Sequence, residues 1–169
     1  MKAEAVPFYG VFVALVTGFT WFLFRYELHR FVEPNQRQYC QPAITEGTQR
    51  VGRDVSWLAD DDLAVGDLVR FRTARSGNET TSRVVATAGQ RVAVKAGVLL
   101  IDGVEVTDPW GRRANVTDFM PEVAVPEGCV FVLNDYRWGN QSERNDSRAF
   151  GPIPVRCVQY AFSPKDEAK

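Results

Sequence analysis

Residues 66–106 read GDLVRFRTARSGNETTSRVVATAGQRVAVKAGVLLIDGVEV, and this stretch decides the fold class. Within it DLVRFRT (67–73), SRVVATA (82–88), RVAVKAG (91–97) and VLLIDG (98–103) are short runs rich in Val, Leu and Phe and bounded by turn residues, the pattern of β-strands. Asp102-Gly103, between Ile101 and Val104, is a hairpin signal, because this dipeptide tolerates the positive φ of a tight turn. Lys95-Ala96-Gly97 marks a second turn. Further along, CVFVLND (129–135) and CVQYAF (157–162) read as strands in the same way. No long amphipathic helix follows residue 30, and the chain has no internal repeat or low-complexity tract. The polar stretch NDYRWGNQSERNDSRA (134–149) is long enough for a functional loop, and SPKDEAK (163–169) is a tail expected to fray. The expected architecture is mainly β, a small and mostly antiparallel domain over residues 31–162.

Upstream the character of the chain changes. VPFYGVFVALVTGFTWFLF (6–24) contains no charge. As a helix these roughly 19 residues reach about 28 Å, close to the thickness of a bilayer core. Lys2 and Glu4 flank it on one side, and Arg25, Glu27, His29 and Arg30 on the other, with Trp21 and Tyr26 placed for a lipid–water boundary. A cleaved signal peptide is the competing reading, but it would have a shorter apolar core and end in small residues, whereas this run ends in TWFLFRYELHRF. A buried soluble helix would not need so long an uncharged run. Residues 1–30 are therefore expected to be a single transmembrane anchor in contact with lipid. Basic residues on both sides leave its orientation open.

Composition excludes several functions. The 169 residues carry 20 Lys plus Arg against 21 Asp plus Glu, a formal net charge of −1, without the basic excess of a nucleic-acid binder. Sixteen of the basic residues are Arg and only Lys2, Lys95, Lys165 and Lys169 are Lys. The single histidine is His29, so no mechanism with several His ligands is available, and neither a metal nor a cofactor is expected. Cys40, Cys129 and Cys157 are the cysteines. Outside the cytoplasm Cys129 and Cys157 could bridge, leaving Cys40 over; two buried thiols is the default. Three triplets, beginning at Asn78, Asn115 and Asn140, match the glycosylation pattern, which has meaning only in a eukaryotic secretory pathway.

Two blocks share an order with a known family. The first is GDLVRF followed by SRVVATAGQRVAVKAGVLLIDGVEV; the second is VPEGCVFVLNDYR followed by NDSRAFGPIP. Gly66-Asp67-Leu68-Val69, Arg83-Val84-Val85, Gly89, Val92, Asp102-Gly103, Val125-Pro126-Glu127-Gly128, Asp135, Arg137 and Asp146-Ser147-Arg148-Ala149-Phe150-Gly151 fall in sequence. Together they resemble the type I signal peptidases, the membrane-bound serine peptidases that remove signal peptides from exported proteins. The resemblance covers roughly residues 39–162 together with the single N-terminal anchor. It implies a signal-peptidase-like antiparallel β-domain on the non-cytoplasmic face of an inner or plasma membrane.

The catalytic positions depart from that family. Its nucleophile is the serine of Ser-Met-x-Pro-Thr-Leu, and the comparable stretch here is Tyr39-Cys40-Gln41-Pro42-Ala43-Ile44. With Pro42 as the family proline, Tyr39 takes the nucleophile position and Cys40 the methionine position. The base, a lysine just before Arg83, is Ser82. A hydroxyl is far too weakly basic to take a proton near neutral pH, which a desolvated lysine can do. Cys40 has the spacing to Pro42 that conjugative-transfer relatives use for their serine, so it is the alternative nucleophile, but a thiolate needs a base or cationic neighbour. The family's Gly-Asp-Asn-Arg turn reads Asn134-Asp135-Tyr136-Arg137, and the serine that helps hold the lysine is replaced by Arg144. Either Arg144 fills the lysine's space and pairs with Asp146, or residues 143–145 are a solvated loop. Ser147 and Arg148 complete the retained Asp-Ser-Arg motif, whose Asp146 and Arg148 read as structural.

The resemblance and the departures imply a protein that keeps a groove for an extended peptide without the Ser–Lys chemistry. Its partners would then be exported preproteins or subunits of a membrane complex, and its role that of an assembly or chaperone factor. The alternative is an active endopeptidase that processes preproteins through Cys40.

Overall fold

The computed structural model describes residues 5–30, 40, 44, 49–56, 63–73, 77, 79–111, 116–137 and 145–163, except for the side chains of 5–9, 24 and 27–30. The apolar N-terminal run forms helix α1 (Ala5–Arg25). Its described side chains, from Gly10 to Leu23, are exposed, Phe12, Leu15, Phe19 and Trp21 among them. Among the described residues no helix is long and apolar enough to cross a membrane.

The chain then enters a sheet without a linker. Strand β1 (Tyr26–Arg30) continues from α1, so the sheet starts inside the segment read as anchor. It pairs antiparallel with β2 (Gln49–Asp54), Tyr26 opposite Arg53 and Arg30 opposite Gln49. Neither YELHR nor QRVGRD has a strand-like composition. β2 is a strand because β1 and the C-terminal strand flank it and satisfy its backbone.

The other strands follow the apolar runs. They are β3 (Leu68–Arg72), β4 (Glu79–Thr87), β5 (Arg91–Lys95), β6 (Val98–Ile101), β7 (Val104–Glu105), β8 (Met120–Ala124), β9 (Cys129–Leu133), β10 (Ile153–Pro154) and β11 (Val158–Phe162). Helix α2 (Ser147–Phe150) is one short turn, and residues 155–157 form a 3-10 turn. Two sheets result, seven-stranded in the order β1-β2-β11-β3-β4-β9-β10 and four-stranded in the order β7-β6-β5-β8, with every pairing antiparallel. Both tight turns expected from the sequence are two-residue hairpins. Ala96-Gly97 and Asp102-Gly103 all have positive φ, the conformation that matches the twist of the flanking strands.

The centre of the large sheet, around β4 and β9, is buried on both faces. Val69, Phe71, Val84, Val130, Val132, Val158 and Ala161 form a cluster on one face. Val85, Ala86, Phe131 and Leu133 face the other way and meet Val92, Val94, Leu99 and Met120 of the small sheet. The alternation of Val130 and Val132 with Phe131 and Leu133 is the period of two expected for a strand between two apolar layers. A third cluster joins Leu68 and Phe162 to Cys40 and Ile44.

Candidate peptidase-like site

Strand β4 carries the two positions that matter most. Neighbouring residues on a strand point to opposite faces, and Ser82 pairs with Val69 while Arg83 pairs with Leu68. Ser82 therefore shares the face of the first cluster, and Arg83 the face of Leu68 and Phe162. The Ser82 hydroxyl donates to Asn134 Oδ1 at 2.8 Å, and both residues are buried, at 0% and 2% exposure. The hydroxyl at position 82 is thus engaged by a carboxamide.

Arg83 is buried and forked. Its Nε and Nη2 donate to the two carboxylate oxygens of Asp135 at 2.8 and 2.7 Å, and Nη1 donates to the Gly66 carbonyl at 2.7 Å. Trp110 lies beneath the guanidinium, 4.8 Å from it to the ring centroid. This parallel pair of bonds is the strong form of an ion pair, and it ties the end of β9 to the start of β3.

The Asp-Ser-Arg motif folds into a second buried network. Asp146 caps α2, accepting from the Arg148 amide, and its other oxygen accepts from the Asn134 amide at 3.1 Å. The Ser147 hydroxyl accepts from the Val132 amide at 3.0 Å. Arg148 lies between two carboxylates, donating to Asp146 at 2.7 Å and to Asp118 at 2.6 Å. Burial opposes its charge, but these two anions outweigh it and hold Arg148 above its ordinary value. Arg137 donates to Asp108. Burial, with the Arg148 charge acting in the same direction, pushes it down to about 10 against an opposing pull from Asp146, and it remains a cation at neutral pH. The Asp67 carboxylate accepts from the Ala64 amide, yet burial pushes it above its ordinary value.

Cys40 and Ser82 do not meet. The Cys40 thiol donates to the Thr81 carbonyl at 3.0 Å and packs with Ile44, Leu68 and Phe162, on the sheet face opposite to the Ser82 side chain. Cys40 is fully buried. Lys95, the one lysine among the described residues, is exposed at the end of β5 in the small sheet. None of the three cysteines is in a disulfide. Tyr39, Pro42 and Arg144 lie outside the described residues. Asp146 is bonded to Arg148, and the side chain beside Ser82 is Asn134. Among the described residues no three His, Cys, Asp or Glu side chains gather to hold a metal ion.

Comparison with known proteins identifies the family. The family model described as "Signal peptidase, peptidase S26" matches residues 6–159. The chain belongs to the signal peptidase family. It is 29% identical over 125 residues to a probable signal peptidase I-1 of Synechocystis, covering 69% of this chain and 61% of that protein. It is 26% identical over 125 residues to an "Inactive signal peptidase IA" of Staphylococcus aureus, covering 69% of this chain and 67% of the relative. The chain thus spans about two thirds or less of these relatives. The crystal structure of a signal peptidase I from Enterococcus faecalis shares the fold, with a TM-score of 0.51 and 23% identity over 62% of this chain and 100% of that one.

Within this signal peptidase fold, some residues of the site had no local signal. Asp108, Trp110 and Asp118 lie between the recognisable blocks, in sequence with no motif of its own. Asp118 and Arg148 are 30 residues apart, and Asp108 and Arg137 are 29 apart. Only the folding of the second block against the small sheet pairs them.

Proposed function

We propose that this chain is a membrane-anchored, non-catalytic signal peptidase homologue that holds extended segments of exported or membrane proteins. It would serve as an assembly or chaperone factor, or as a subunit of a membrane complex. The observation that carries the reading is position 82. A buried serine hydrogen-bonded to Asn134 stands at the family's base position, and no general base of lysine type can act from it. The peptide-holding part is supported by β4. Over residues 79–82 it pairs with β3, whereas its pairing with β9 begins at Arg83, so among the described residues this half of the strand has a ladder partner on one side only. An extended peptide can add to such an edge through its main chain. In this proposal α1 is the single-pass anchor in an inner or plasma membrane, with its exposed apolar side chains in lipid and the β-domain on the non-cytoplasmic side.

An active endopeptidase using Cys40 is the second reading, favoured by the place of its thiol beside β4. Against it stand the burial of the sulfur, its role as donor to a carbonyl, and the position of Ser82 on the opposite face. The test is incubation of the full chain in detergent with a signal-peptide substrate, beside Tyr39→Ala, Cys40→Ala and Ser82→Ala, with peptide binding followed by crosslinking. The expected result is binding without cleavage by any form. Turnover by the wild type that Cys40→Ala alone abolishes would establish the second reading. Loss of turnover in Ser82→Ala would overturn the assignment of position 82.

A further inference from the structure

Position 134 matters as much as position 82. The family's turn begins with glycine, which has no side chain, and this chain has Asn134 there. The residue is 2% exposed at the end of β9. Its amide donates to Asp146 at 3.1 Å and its carbonyl accepts from Arg137, so the backbone carrying it is tied on both sides. Its side chain reaches β4 and accepts from the Ser82 hydroxyl at 2.8 Å. A lysine at 82 would need room for a four-carbon stem and an ammonium in the direction in which the Ser82 side chain already ends against Asn134.

We infer that Asn134 is the residue that closes the base position: Asn134 and Ser82 form one buried hydrogen-bonded pair that fills the room of a lysine side chain and of the space beside it. The inference rests on position 82 being the family's base position. It makes the loss of catalysis a two-residue property. Reintroducing an amine at 82 is not sufficient, because close-packed interiors do not absorb extra methylenes without displacement. Both residues are positioning residues for the sheet, and neither needs a bound peptide to show its effect.

Thermal unfolding of the full chain in detergent tests this by compensation. Ser82→Lys alone is expected to lower Tm by about 5–10 °C, from overpacking and a buried charge. Asn134→Gly alone also lowers it. The double variant Ser82→Lys/Asn134→Gly is expected to unfold at a higher temperature than Ser82→Lys, since the glycine vacates the space. A double variant less stable than both singles would overturn the inference, as would a Ser82→Lys protein that unfolds at the wild-type temperature. A second cycle decides the matter if the lysine variants do not fold. Ser82→Ala and Asn134→Ala should each destabilise, and the double should lose no more than the larger single loss; additive losses would overturn the pairing. Peptide binding enters neither readout, so failure of the peptide-holding proposal leaves this test intact, and the reverse also holds.

Discussion

Replacing Arg83 by methionine removes the centre of a fully enclosed ion pair while keeping a long, unbranched side chain. In the wild type the guanidinium is 1% exposed and satisfies both oxygens of Asp135 and the Gly66 carbonyl. Arg83→Met leaves the carboxylate enclosed without that fork and takes the donor from the carbonyl. Removing one partner of a buried pair costs about 3–5 kcal/mol, most of it the desolvation of the charge left behind. Total stabilities are typically about 5–15 kcal/mol, so this is a large fraction. At about 2–4 °C per kcal/mol for a chain of this size, Tm should fall by roughly 6–20 °C. Urea and thermal unfolding followed by circular dichroism, with the full chain in detergent, measure it. Arg83→Lys should fall between wild type and Arg83→Met, because an ammonium keeps the charge and loses the planar fork. The double variant Arg83→Met/Asp135→Leu should recover much of the loss, since neither charge of this buried pair then remains. An Arg83→Met protein within about 1 kcal/mol of wild type would refute the reasoning, as would a double variant less stable than Arg83→Met.

Three further outcomes are expected. Burial raises the Asp67 carboxyl above its ordinary value of 3.8, so the folded state holds this proton more tightly and the group's contribution to stability falls as pH rises through 3.8 to its folded value. Asp67→Asn, which still accepts from the Ala64 amide, should gain on wild type as pH rises through 3.8 and above, and urea titrations showing a pH-independent difference or the opposite trend would reject this. A Cβ on Gly111 would sit 2.8 Å from Arg137 Cζ, so Gly111→Ala should displace the guanidinium from Asp108 and cost about 1–3 kcal/mol, checked by chemical denaturation; an unchanged midpoint would show that Arg137 yields freely. If α1 is an uncleaved anchor, the chain should resist carbonate extraction and keep its N-terminus on sequencing. A soluble mature chain beginning near residue 30 would contradict the proposed anchor.

How much of this protein is written locally differs from element to element. The hairpins at Ala96-Gly97 and Asp102-Gly103 were legible because a two-residue turn depends on the conformational freedom of the residues inside it. The central strands were legible because Val, Phe and Leu alternate across a sheet covered on both faces. Strands β1 and β2 were not, since YELHR and QRVGRD contain charges and a glycine and become strands through their neighbours in the sheet. The family was legible in the order of the two blocks, because motif residues and their succession need no coordinates to see.

The surroundings of Ser82 and Cys40 were decided by tertiary structure. Ser82 could be read as a missing base, but not as half of a pair with Asn134, 52 residues away. Cys40 could be read as a substitute nucleophile. The register of β3 with β4, and the packing of Cys40 against Leu68 and Phe162, put it on the opposite face of the sheet from the Ser82 side chain. Likewise, Arg148 was legible as a retained motif residue, while its second anion, Asp118, comes from the segment before β8. The sequence by itself determined strand periodicity, turn chemistry, the apolar run of α1 and the residue types at the site. Which side chains meet was settled only by the fold, because burial, register and hydrogen-bond partners are set by residues far apart along the chain.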